Sequence, residues 1–462
     1  MKALFLNLPS AKSVMRRYGC SYNSPGYLFP PLELCSAATA LREWNGARVA
    51  VLDAVAERLD VNGVAAKANR MGLDLIVSLA GFDCFHDDMK ALKELKARTG
   101  AATACLGYLP TLFPEETARL SGADYVILGE PEMTLSELAR RMETGQRPDR
   151  VQGLFWRDGK KTVRNAQRPR IKDLDALPFP DRSLIDNGRY SMPFFGRPFT
   201  TMQTSRGCPF HCTYCTHFEG AELAVRSPGK VIEELEDVIG RGIRHVRFMD
   251  NNFTFPQKRT KEICRRMAEE RLDVEWACMS RTDLLDPEMA RLLRKAGCKT
   301  VFVGVESGSQ RTLDRYRKGY KASDVPARMR LLKRNGMEAI GWFMFGAPWE
   351  DETDFKAGLG LAKSMKLDYA IASVLSFFPG TPIFEEHRME LDFSLAPFSA
   401  TLKDMDAAQR AVRWEKRFYK GFYMRPGPAC RMAKRMLLHP RDALASAKGM
   451  LAYLAGGKGD LF

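Results

Sequence analysis

The spacing of apolar positions alternates between two periods over the first 145 residues. Short apolar runs, "ALFLNLP", "ARVAVLDA", "LDLIVSLA", "ATACLG" and "ADYVILGE", read as strands. Between them lie stretches with apolar residues three and four apart, such as Leu32 to Trp44 and Asp88 to Arg98, which read as helices. This alternation predicts an α/β, doubly wound (Rossmann-like) parallel sheet covered on both faces. Ligands of such sheets bind beyond the carboxyl ends of the strands, which singles out Asn7, Asp53, Ser78, Gly107 and Glu130. Residues 146–199 carry repeated prolines, with "DLDALPFPDRSLI" at their centre, and read as a connector. Six more strand-like runs follow: "TTMQTSR", "HVRFMDN", "VEWACMS", "TVFVGVES", "EAIGWFMFG" and "YAIASVLSFF". Six β/α units in series predict a partial (β/α)6, TIM-like barrel over 200–400, short of a closed eight-stranded one. From 401 to 462 the pattern is helical and basic.

Composition narrows this picture. With 45% hydrophobic and 27% charged residues the chain is expected to be globular and soluble. No apolar run approaches the roughly 18 residues of a membrane span. The start, "MKALFLNLPS", reads as a first strand and not as a signal peptide. Eleven cysteines without a secretion signal point to reduced thiols plus a metal site in the cytoplasm. The net charge of +15 is partly a tail property, because 13 Lys/Arg against 5 Asp/Glu leave +8 from Thr401 onward.

The densest chemistry is "SRGCPFHCTYCTHF", where Cys208, Cys212 and Cys215 stand within eight residues. Isolated cysteines such as Cys264, Cys298 and Cys430 read as small buried hydrophobes. Three thiols in a loop bounded by Gly207 and Pro209 do not. Structural zinc asks for four ligands, typically as two spaced pairs, and only His211 or His217 stands near enough in sequence to complete a set. An iron–sulfur cluster usually takes four thiolates, so three leave one iron open for a substrate or cofactor.

The Cys-x3-Cys-x2-Cys spacing, with Tyr214 just before the last cysteine, resembles the radical S-adenosylmethionine (SAM) superfamily. The resemblance implies that Cys208, Cys212 and Cys215 hold a [4Fe–4S] cluster. Its fourth iron would chelate SAM, and reduction would cleave SAM to a 5′-deoxyadenosyl radical. The same resemblance assigns SAM-binding roles to Tyr214, to Asp250, Asn251 and Asn252 in "FMDNNFT", and to Ser280 and Arg281 in "CMSRTD". Glu306 and Ser307 in "VGVESGSQ" and Gly346 in "MFGAP" complete that set. Acceptors suit an ammonium, and Arg281 suits a carboxylate. No general acid or base is implied.

The whole arrangement resembles the radical SAM branch that carries a cobalamin-binding (B12-binding type) domain. That branch includes methylases of unactivated carbon, the anaerobic pigment cyclase and hopanoid-modifying enzymes. The resemblance implies a cobalamin-binding-like domain at 1–145, a connector at 146–199, the barrel at 200–400 and a basic helical region at 401–462. Cobalamin is then an expected cofactor beside the cluster and SAM. Two departures matter: "LDAVAERLD" has no cobalt-ligating histidine, which this branch commonly lacks, and, more seriously, "CLGYLPTLFP" lacks the usual glycine pair. His86 in "SLAGFDCFHDD" reads more readily as a solvated loop residue than as a cobalt ligand. "YGCSYNSPG" has a superficial likeness to tRNA methylthiotransferases, but the acidic residue after the asparagine and a β-rich RNA-binding module are missing.

The favoured reading is methylation of an unactivated carbon on a small apolar lipid, tetrapyrrole pigment or secondary metabolite. The alternative is radical hydroxylation, cyclisation or rearrangement without methyl transfer. A non-catalytic cobalamin or cluster sensor would explain the first domain but not the SAM-binding series. A flavodoxin- or ferredoxin-type reductant is expected as partner, and nucleic acid is not. The basic tail, with Arg431, Lys434, Arg435 and Arg441 among Leu444, Ala447, Leu451 and Leu454, has two equal readings. One is a helix on the inner, anionic membrane face, and the other is a helix packed on the barrel with a solvated basic side.

Overall fold

A computed structural model describes residues 1–17, 20–23, 27–193, 195–392, 401–428, 430 and 437, with the backbone alone described at 20–23 and 401. The basic stretch holding Arg431, Lys434, Arg435, Arg441 and the apolar residues from Leu444 to Leu454 lies outside the described residues. The chain divides after Thr201 into two compact units.

The first unit is built on β1 (Lys2–Asn7), β2 (Arg48–Asp53), β3 (Leu75–Leu79), β4 (Ala102–Leu106) and β5 (Tyr125–Ile127). These strands lie in the order β2-β1-β3-β4-β5, all parallel. Every residue of β3 is buried, as a strand covered on both faces requires. Helices Leu32–Asn45 and Pro131–Glu143 place Leu34, Leu41, Leu135 and Leu138 in one core with Phe5, Val77, Leu106 and Ile127. Ala118 of helix Pro114–Ser121 packs with Val126 and Phe155 in a separate cluster.

The stretch 146–199 is not all connector. Strands β6 (Leu154–Asp158) and β7 (Lys161–Arg164) extend the sheet antiparallel beyond β5. A two-residue loop at Gly159–Lys160, with Gly159 at φ 62°, closes this hairpin. The Asp158–Gly159 pair between two alternating runs was the local signal, and the surrounding prolines masked it. A second hairpin, Val14–Arg17 with Cys20–Asn23, follows β1.

The second unit contains β8 (Phe199–Met202, which leads into it), β9 (His245–Phe248), β10 (Glu275–Arg281), β11 (Cys298–Glu306), β12 (Glu338–Phe345) and β13 (Tyr369–Val374). They neighbour one another in chain order, and β9 to β13 are parallel. This is the six-unit barrel that the sequence predicts. Phe343 and Phe345 pack at a tilt against Phe418 of helix Met405–Tyr423, with centroids 5.0 and 5.4 Å away. That helix is the first part of the basic region, and its buried stripe of Ala407, Ala411, Trp414, Phe418 and Phe422 docks it on the barrel. Among the described residues no helix is long and apolar enough to cross a membrane.

Candidate active site

The cysteine loop leaves β8 through Ser205–Arg206 and turns at Gly207, whose φ is 85°. A Cβ there would lie 2.1 Å from the Glu222 carbonyl oxygen, so only glycine fits. The Cys208 amide donates to the Gly220 carbonyl (3.1 Å), and the Cys215 amide to the Cys212 carbonyl (3.2 Å). Between the last two cysteines, Thr213 pins the loop. Its amide reaches the Tyr316 carbonyl (3.2 Å), and its own carbonyl accepts from Ile383 (3.0 Å). Burial pushes the Cys215 thiol up to about 11 and raises Cys208 as well. Thiols held this way become good ligands only when a metal stabilises the thiolate.

Among the described residues the zinc alternative finds no fourth ligand. His217 turns its ring to the Phe210 carbonyl (2.5 Å), and His211 is exposed. Among the described residues no three His, Cys, Asp or Glu side chains stand together as ligands of one ion. A [4Fe–4S] cluster does not need that, because each of its thiolates takes a different iron. The donor set fits a three-thiolate cluster.

The barrel strands bring most of the expected SAM residues to this loop. Arg281 lies with its guanidinium 3.8 Å from the Phe210 ring centroid and donates to the Cys212 sulfur at 3.7 Å. It is also bidentate to Asp283, at 3.1 and 3.0 Å. The Tyr214 hydroxyl donates to Glu306 Oε1 (2.8 Å), and buried Lys318 donates to both, at 3.2 Å to the tyrosine and 3.1 Å to the carboxylate. Burial opposes the Lys318 charge, yet Tyr320, Glu306 and Cys212 outweigh it and raise its pKa. Glu306 sits at φ 62°, a strained backbone for a side-chain-bearing residue. A Cβ at Gly304 would lie 2.5 Å from its Oε1, so that glycine makes room for the carboxylate.

The other strand-end residues have structural duties. Asp250 is fully buried, and its Oδ1 accepts from the Thr204 and Ser205 hydroxyls, tying β9 to the start of the cysteine loop. Asn251 donates to Glu219 (2.8 Å), which also receives the Gly207 amide (3.2 Å). Ser280 shares a hydrogen bond with Thr254 (2.7 Å), whose hydroxyl donates to Asn252 (3.0 Å). Asn252 Nδ2 is buried with no protein partner, an orphan donor that suits a bound polar ligand. Ser307 caps the next turn by accepting from Ser309 (3.1 Å). Gly346, at φ 102°, donates to Glu350 (2.7 Å), as does Ala347 (3.0 Å). Lys318, Glu219 and Glu350 were not legible in the sequence, since each is a charged residue in a polar stretch that only tertiary packing buries.

In the first unit the strand order reverses between β1 and β3, the place where sheets of this kind bind ligands. Here that region carries an internal network. Arg16 is bidentate to Asp88 (2.9 and 2.7 Å), with both side chains fully buried, and also donates to Asn7 (2.9 Å). Asn7 donates to Asp53 (2.7 Å), which accepts as well from Tyr190 (3.1 Å) and two backbone amides. The Ser78 hydroxyl faces the Ala104 carbonyl (3.4 Å), and Glu130 accepts from the Ile171 amide (2.7 Å). A Cβ at Gly107 would lie 2.9 Å from the Ala80 carbonyl, so its freedom serves loop packing. His86 is exposed at the start of helix Phe85–Thr99.

Residues 202–359 match the Radical SAM superfamily. An uncharacterized methyltransferase of Pyrococcus horikoshii is 30% identical over 387 residues, 83% of this chain and 82% of that protein. The anaerobic magnesium-protoporphyrin IX monomethyl ester cyclase of Cereibacter sphaeroides is 25% identical over 86% of this chain and 67% of its own length. Among solved structures, the cobalamin-dependent SAM radical enzyme OxsB with aqua-cobalamin bound superposes with a TM-score of 0.73 at 16% identity, over 89% of this chain and 66% of that one. The chain therefore belongs to the radical SAM superfamily, with an N-terminal α/β domain before its barrel, and it is an enzyme whose cofactors are a [4Fe–4S] cluster and SAM.

Proposed function

We propose that this enzyme methylates an unactivated carbon of a small apolar molecule, a lipid, tetrapyrrole pigment or secondary metabolite. The near full-length match to a methyltransferase, which spans both units, carries this reading. Cys208, Cys212 and Cys215 would hold the [4Fe–4S] cluster, which when bound would supply the electron for reductive cleavage of SAM. An external one-electron donor of flavodoxin or ferredoxin type must reload it. Around it the chain's own residues orient and exclude water. Arg281 holds positive charge beside the Cys212 sulfur and over the Phe210 ring, Lys318 bonds Tyr214 next to Cys215, and Asn252 offers a buried donor. A radical on a primary carbon survives only in such a water-poor site.

Cobalamin belongs to this proposal through the fold and the likeness to OxsB. Asn7, Asp53, Ser78, Gly107 and Glu130 do not form a cradle for it, because their polar atoms are engaged within the protein. A second reading, cyclisation, hydroxylation or rearrangement without methyl transfer, is favoured by that closed network and by the match to the cyclase. Anaerobically reconstituted protein, mixed with hydroxocobalamin and desalted, separates the two. Stoichiometric corrin beside one cluster supports methylation, and a cluster with no corrin promotes the second reading. Association of the basic C-terminal region with an anionic membrane surface remains part of the proposal, tested by sedimentation with anionic vesicles.

A further inference from the structure

We infer that Lys318 is a positioning residue that couples the cluster loop to the SAM-facing end of β11 and holds a positive charge beside the cluster. The claim holds whether or not the reaction is a methylation.

Lys318 follows helix Gln310–Arg315, where Arg317 takes a left-handed turn at φ 53° and the Lys318 amide returns to the Leu313 carbonyl (3.0 Å). That turn drives a lysine side chain inward, to 4% exposure. A buried ammonium needs partners, and Lys318 has two on different elements. Glu306 Oε1 stands at 3.1 Å on β11, and the Tyr214 hydroxyl at 3.2 Å within the cysteine loop. The tyrosine hydroxyl in turn donates to the same Glu306 oxygen at 2.8 Å, closing a three-membered ring of hydrogen bonds. Tyr214 is covalently next to Cys215, so the ring fixes where that cysteine's backbone lies.

The backbone of Lys318 makes a second link. Its carbonyl accepts from Arg281 Nη2, and Arg281 Nη1 donates to the Cys212 sulfur at 3.7 Å. One residue thus steers two of the three cluster cysteines, Cys215 through Tyr214 and Cys212 through Arg281. Gly304 keeps the space open, since a Cβ there would lie 2.5 Å from Glu306 Oε1 and 3.6 Å from Lys318 Nζ. Tyr320 closes the far side by donating to the Gly304 carbonyl at 2.9 Å.

Reduction adds a negative charge to a cluster, so a nearby cation in a poorly solvated site raises its potential. Residues that orient metal ligands from behind typically cost about 10- to 100-fold in affinity when lost. The test is potentiometry and electron paramagnetic resonance on anaerobically reconstituted full-length protein, without substrate or corrin. Lys318→Met should retain a cluster with a more negative potential, and about 10-fold weaker SAM binding read from the SAM-induced change of the reduced-cluster signal. Lys318→Arg, which keeps the charge, should restore both. If Lys318→Met keeps the parent potential and SAM response, or if Lys318→Arg is as impaired as Lys318→Met, the inference fails. Should Lys318→Met not fold, Tyr214→Phe, which deletes one oxygen, carries the test: a parent-like SAM response there overturns the inference.

Discussion

At the scale of single residues, two positions show how little chemistry separates a working site from a broken one. Gly207 is held where a Cβ would lie 2.1 Å from a carbonyl oxygen, and its φ of 85° suits no other residue. Gly207→Ala should displace the loop that follows and cut iron incorporation severely, while circular dichroism keeps the parent spectrum. Full iron content in that variant would show that the turn tolerates a side chain. Glu350 is the second case. Burial raises its carboxyl from 4.5 to about 7, although the Gly346 and Ala347 amides both donate to it and hold it down. The folded carboxyl keeps its proton to about pH 7 and the unfolded one only to 4.5. Stability from this group is therefore complete below pH 4.5 and declines as pH rises to about 7, by about 3 kcal/mol. Glu350→Gln removes the titration, so its stability relative to the parent should rise steadily from pH 5 to 7.5 in urea unfolding. A constant difference across that range would contradict the assignment.

At the scale of elements, an open six-stranded barrel leaves β13 with an unpaired edge, which is an aggregation hazard. Helix Met405–Tyr423 covers it in an unusual way. The Tyr419 hydroxyl accepts from the Ala372 amide (3.1 Å) and donates to its carbonyl (2.9 Å). One helical turn on, Tyr423 does the same for Ala370, at 3.2 and 3.0 Å. Two hydroxyls at i and i+4 thus match alternate residues of a strand, standing in for a seventh strand's peptide groups. Tyr419→Phe should cost about 1–3 kcal/mol by orphaning a buried amide and carbonyl, and Tyr419→Phe/Tyr423→Phe should also oligomerise on gel filtration. A double variant as stable and monodisperse as the parent would refute the edge-capping role. The parallel strands and the helices between them were legible from sequence because apolar runs alternate with helical spacing, whereas the antiparallel β6–β7 hairpin was not. The tyrosine pair was not, since "RWEKRFYKGFY" reads as basic surface until β13 supplies its partners. The three cysteines were legible because metal ligation needs a local spacing. Lys318 and the Arg16–Asp88 pair were not, because their roles depend on residues up to 104 positions away.

At the scale of the molecule, two α/β units are joined in one chain, each with its own switch-point or strand-end chemistry. The barrel unit carries three cysteines on one loop, with buried Arg281 donating to the Cys212 sulfur and buried Lys318 bonded to Tyr214 of the same loop. The first unit closes its corresponding region with a fully buried ion pair. The most direct measurement is SAM cleavage by the anaerobically reconstituted protein after one-electron reduction, beside Cys208→Ala, Cys212→Ala and Cys215→Ala. The account predicts about four iron and four sulfide per chain for a [4Fe–4S] cluster. It also predicts 5′-deoxyadenosine and methionine from the parent enzyme, and neither product from any of the three variants. A parent protein that assembles no cluster, or a variant that cleaves SAM as well as the parent, would contradict it.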